Sequence, residues 1–88
     1  TVDVSGRTVT GDYVDFDATD VLKVTSSADI SGAQGDGAGA GTALGLGVVD
    51  FDNNAVTLTM SVAQHNDMSV TDTTGTQTLT MSDAGTLS

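Results

Sequence analysis

The sequence predicts an all-β fold: a β-solenoid-like stack of units about 21 residues long with a Gly-rich insertion, a small β-sandwich being the alternative. Three observations lead there. Apolar and polar residues alternate along Val56-Thr57-Leu58-Thr59-Met60-Ser61-Val62, the mark of a half-buried strand. The pentapeptide Thr57-Leu58-Thr59-Met60-Ser61 returns unchanged as Thr78-Leu79-Thr80-Met81-Ser82, 21 positions later. All 12 acidic residues are Asp, which favours caps and turns, and none is Glu, which favours helix.

Taken in order, residues 1–5, 8–10, 13–17, 21–25, 56–62, 68–71 and 78–82 read as strands. Turn residues separate them at Ser5-Gly6, Thr10-Gly11-Asp12, Asp17 to Asp20, Asp52-Asn53-Asn54, His65-Asn66-Asp67, Thr74-Gly75 and Asp83-Ala84-Gly85. No stretch carries a helical period. A second echo links Val14-Asp15-Phe16-Asp17 to Val49-Asp50-Phe51-Asp52, 35 positions on, and extends to Val21 with Val56, Ser26 with Ser61 and Ala28 with Ala63. The excess of 35 over 21 equals the length of the Gly-rich tract at 34–47, so that tract reads as a flexible loop inserted into one unit of a single domain spanning 1–88.

Composition excludes several functions. Only Arg7 and Lys23 oppose the aspartates, and the net charge is −10. Two cations cannot neutralise a run of phosphates, so nucleic acid is not an expected partner, and an anionic membrane surface would repel the chain. No apolar run approaches the ~20 residues of a membrane helix, which argues against membrane insertion. The absence of Cys removes disulfides and thiolate metal sites. The chain opens on Thr1 without a signal peptide, as expected of a mature product or a piece of something longer.

The strongest chemical feature is the clustering of aspartate at strand ends. Asp15, Asp17 and Asp20 form one group, and Asp50, Asp52 and Asn53, followed by Asn54, form another. Calcium takes six to eight oxygen ligands, and paired carboxylates at short spacing repel one another unless a cation lies between them. These residues, with Asp36 in the glycine tract, are therefore the candidate metal ligands, with calcium the expected ion. The competing account is a solvated acidic surface on which Asp terminates strands.

Other motifs carry less. The glycine tract has no Lys-Ser or Lys-Thr after it, as a phosphate loop would. An extra Thr breaks the Asp-Thr-Gly of aspartic proteases in Asp72-Thr73-Thr74-Gly75. His65 lies in a polar turn without a Cys or Glu beside it, and no nucleophile stands next to a base. An enzyme is not expected. Thr8/Thr10, Thr57/Thr59 and Thr78/Thr80 repeat a Thr-x-Thr spacing similar to that of β-helical ice-binding proteins, although Thr is also an ordinary residue for an exposed strand face.

Residues 56–62, 76–82 and the closing Asp83-Ala84-Gly85-Thr86-Leu87 give the second half of the chain a cadence. In it, the chain resembles the low-complexity β repeats of large bacterial surface proteins, the S-layer proteins and giant adhesins. That resemblance implies an extracellular or cell-surface structural protein, commonly calcium-dependent and commonly exported by type I secretion. Its partners would be further copies of itself or the remainder of a longer chain. A self-polymerising pilin-like or functional-amyloid fibre subunit is one alternative, and an ice-binding protein a second. If 21-residue units stack, Leu58 and Leu79 share an inward position, as do Met60 and Met81, while the flanking threonines point out.

Overall fold

The computed structural model describes residues 1–13, 19–35, 38–71 and 74–87. Its elements in order are β1 (Val2–Asp3), β2 (Thr8–Tyr13), β3 (Val21–Lys23), β4 (Ala28–Gly35), β5 (Val48–Asp50), β6 (Thr57–Met60), α1 (Val62–Asp67), β7 (Ser69–Thr71) and β8 (Thr78–Met81). Odd and even strands form separate sheets, β1-β3-β5-β7 and β2-β4-β6-β8, and every ladder is parallel. Each coil of chain thus lays one strand on each sheet, and its pairing partner arrives one coil later. This is a parallel β-solenoid of about three turns with ~21-residue spacing. The sandwich alternative falls, because sandwich sheets are antiparallel.

The unit spacing holds where the pentapeptide repeats. Thr57, Leu58, Thr59 and Met60 lie directly beside Thr78, Leu79, Thr80 and Met81. The leucines and methionines point inward and the threonines outward, as the alternation predicts. On the other sheet Val2, Leu22, Val49 and Val70 form one inward row. Val4, Val24 and Phe51 form the next, tied by Val4 N–H to the Lys23 carbonyl (3.1 Å) and Val24 N–H to the Asp50 carbonyl (2.9 Å). Stacking is what buries these side chains, since no single coil encloses a core. At about 1.5–3 kcal/mol for each fully buried Val, Leu, Ile, Met or Phe, these rows are the main stabilising term.

Several expectations need correction. Residues 28–35 form the longest strand, β4, which period-two alternation missed. Its buried positions are Ala28, Ile30, Ala33 and Gly35, so the alternation slips by one between Ile30 and Ala33. The slip coincides with a bulge against β2, where Thr8 faces Asp29 but Thr10 faces Gly32. Thr10-Gly11-Asp12 is likewise no turn; it lies inside β2, with Gly11 at φ 98°. The short strand β5 was visible only as part of the second echo.

The 35-residue echo is not a structural equivalence. Val21 faces Val48, 27 positions on, and Ala28 faces Leu58, 30 positions on, in place of Val56 and Ala63. Part of the glycine tract is strand, so the excess is smaller than the tract. Residues 41–47 are anchored, contrary to a flexible loop: Leu44 and Leu46 join the core, and Gly41 N–H bonds the Ala33 carbonyl at 2.8 Å. Gly35 allows this approach, since a Cβ there would collide with the Ala43 carbonyl oxygen.

A further correction is α1, which takes Val62 out of the strand read over 56–62 and His65 out of a turn. Ser61 caps the helix, accepting from Gln64 N–H (3.1 Å), while Gln64 Oε1 accepts from Ser61 N–H (2.8 Å). This Ser-x-x-Gln capping box starts a helix where the alternation alone would continue a strand. Gln64 is wholly buried and its Nε2 donates to the carbonyls of Ile30 (2.8 Å) and Ala33 (3.1 Å). The β4/β6 ladder extends only over Ala28–Leu58 and Asp29–Thr59, so beyond it one amide side chain serves carbonyls along β4. The 13–17 strand beyond Tyr13 lies outside the described residues.

Candidate functional site

Of the predicted ligands, Asp15, Asp17 and Asp36 lie outside the described residues. Asp20 is half-buried before β3, and its carbonyl accepts Gly47 N–H at 3.1 Å. Asp50 ends β5, and Asp52 and Asn53 follow in the left-handed region at φ 48° and 58°. Short polar side chains tolerate that conformation best, which accounts for the Asp-Asn pair. The Asp50 carboxylate accepts Asp52 N–H at 2.8 Å, and Asn53 Oδ1 accepts Thr74 N–H from the next coil at 3.1 Å. Asn54 Nδ2 donates to the carbonyls of Phe51 and Asp52, both at 3.0 Å. The Asp50 and Asn54 contacts close the corner on itself, while the Asn53 contact ties it to the next coil. Among the described residues no group of three or more His, Asp, Cys or Glu gathers where one ion could be held.

The same contact recurs at the end of β1 and inside β4. Asp3 accepts Ser5 N–H at 3.0 Å, and Asp29 accepts both N–H (2.9 Å) and hydroxyl (2.6 Å) of Ser31. A carboxylate on one methylene reaches the amide two residues on, which explains why the acids at these positions are Asp. Hydrogen bonding from Ser5, aided by the charges of Lys23 and Arg7, holds the Asp3 carboxyl below the usual aspartate range. Across β1, β3 and β5 the outward row runs Asp3, Lys23, Asp50 and then Thr71, so the cation stands between two carboxylates.

The outer face of the second sheet carries the Thr-x-Thr segments of β2, β6 and β8. Thr57, Thr59, Thr78 and Thr80 form a block of four on neighbouring strands. The second coil interrupts the pattern with Ser27-Ala28-Asp29, and Asp29 lies between Thr8 and Thr59 in the row that ends at Thr80. There Ser27 Oγ accepts Thr57 N–H at 3.0 Å, and a shallow groove of about 240 Å3 opens between Arg7, Thr8, Asp29, Thr57 and Thr59.

Among the described residues, β1 and β2 at one end and β7 and β8 at the other pair on one side only. Val70, Leu79 and Met81 in the last coil, and Val2 in the first, are only partly covered, while their inner-coil counterparts Val49, Leu58, Met60 and Leu22 are at most 2% exposed. Among the described residues no helix is long and apolar enough to cross a membrane. His65 lies in α1 with its Nδ1 3.1 Å from Asn66 Oδ1. Asp72 and Thr73 lie outside the described residues.

No protein-family model, curated protein or solved structure matches the chain. Its own ladders define its class, the parallel β-solenoids.

Proposed function

We propose that this chain is a structural segment of an extracellular or cell-surface assembly, such as an S-layer, adhesin or surface filament. It acts by adding coils to coils, through self-association or within a longer chain, and not by catalysis. The observation that carries this is the pair of open ends. Each presents two parallel strand edges, with Val70, Leu79 and Met81 partly covered at one end and Val2 at the other, and such edges are templates for another strand. Calcium is the proposed ion, relieving repulsion among the aspartates at the strand ends. Concentration-dependent light scattering and electron microscopy of the purified chain test the proposal. Growth into linear particles is expected, and a monomer at every concentration refutes self-association. The four-threonine block supports ice binding as a second reading, which a thermal-hysteresis measurement decides.

A further inference from the structure

We infer that the partner at the open ends is a second copy of this chain, docked head to tail so that β1 and β2 of one copy continue the ladders of β7 and β8 of another. This deepens the assembly proposed above and rests on it. Strand direction selects the orientation. Every ladder within the chain is parallel, and a head-to-tail joint continues both sheets with parallel pairing. Head-to-head or tail-to-tail contact, related by a two-fold axis, would set the strands antiparallel at the joint.

Register follows from the ladders within the chain. The β2 segment Thr8-Val9-Thr10 repeats the out-in-out order of Thr78-Leu79-Thr80, and Thr8, Asp29, Thr59 and Thr80 occupy one row. Continuing that row sets Thr8 of the incoming copy beside Thr80. On the other sheet the row Asp3, Lys23, Asp50, Thr71 then receives the incoming Asp3 beside Thr71, and Val2 beside Val70. No carboxylate meets another in either row, and the partly covered apolar residues at the two ends cover each other.

Because the chain has no Cys, paired substitutions read this register directly. Within one copy Thr8 and Thr80 are three rungs apart, about 14 Å, too far for a disulfide, whereas across the joint they are neighbours at ~4.8 Å. The T8C/T80C double variant, mildly oxidised, is expected to form a covalent ladder of dimers, trimers and longer chains on non-reducing gels. It should exceed the off-register pair T8C/T78C about tenfold, given the narrow geometry of a disulfide. D3C/T71C repeats the test on the other sheet should the first pair not fold. Equal ladders from on- and off-register pairs, or dimers alone, overturn the inference. If the unmodified chain assembles but neither double variant ladders, the register is wrong and the assembly stands. If the unmodified chain stays monomeric, both fall.

Discussion

Replacing Gln64 with Met tests whether a buried amide substitutes for a missing stretch of strand. Met has nearly the same length and fills the same space, so the substitution removes hydrogen bonds without opening a large cavity. Gln64 makes three side-chain bonds in the interior: Nε2 to the Ile30 and Ala33 carbonyls, and Oε1 from Ser61 N–H. The Ala33 carbonyl keeps its bond from Gly41 N–H, so two groups, the Ile30 carbonyl and the Ser61 N–H, bear the loss. A buried group deprived of its partner costs about 1–3 kcal/mol, which sets a total of about 2–6 kcal/mol. For a chain of this size each kcal/mol moves the melting temperature by about 4–8 °C, so even the lower figure lowers it by about 8–16 °C.

Thermal unfolding followed by circular dichroism reads this shift. A Gln64→Met variant within about 2 °C of the parent would refute the amide's role, because half a kcal/mol is too little for two stranded groups. Gln64→Glu adds a signed check. A carboxylate still accepts from Ser61 but sets oxygen against two carbonyls. Its penalty is greatest near neutral pH and eases as acidification protonates it and restores one donor. A penalty independent of pH would mean that the side chain does not face those carbonyls.

Leu58→Ala is expected to cost about 2–5 kcal/mol, while Leu79→Ala, in the partly covered last coil, costs distinctly less; equal urea midpoints would contradict the placement of the two leucines. Millimolar calcium should raise the melting temperature or promote assembly beyond sodium chloride of equal ionic strength, and Asp50→Asn with Asp52→Asn should remove much of the difference; equal action of the two salts refutes the calcium proposal. Asp3 titrates lower when folded, so its contribution is present above the unfolded value and lost as pH falls through the folded one. The stability gap between the parent and Asp3→Asn should therefore close on strong acidification, and a gap that widens there would contradict the sign.

What was legible in the sequence was whatever kept strict period two and strict spacing. Val56 to Ser61 and Thr78 to Ser82 satisfy both, and the structure sets Thr57 to Met60 against Thr78 to Met81 residue for residue. What was illegible departs from one rule or the other for a local reason. β4 contains a bulge that moves its apolar residues out of phase after Ile30, so its alternation runs only from Ala28 to Ser31 before it breaks. α1 is too short for a helical period, and its signal, Ser61 three residues before Gln64, belongs to capping chemistry. The two misses are physically joined. The bulged strand outruns its neighbour β6, and the helix that replaces the rest of β6 supplies the amide that bonds Ile30 and Ala33. Reading either from sequence required the other, since a buried glutamine makes sense only beside carbonyls that a strand has left.

The aspartates pose the same problem of local against distant causes. Repulsion between close carboxylates points outward, to a cation. At Asp3, Asp29 and Asp50 the structure supplies nearer partners, the amides two residues on. Such a bond engages one carboxylate oxygen and leaves the charge in place. Reaching those amides therefore accounts for the choice of Asp over Glu but not for ten net negative charges on 88 residues. Those charges oppose the association of copies at low ionic strength, so any assembly of this chain must strengthen with salt. An assembly that weakened steadily as salt rose would mean that attraction between particular charges at the joint outweighs the repulsion of the whole.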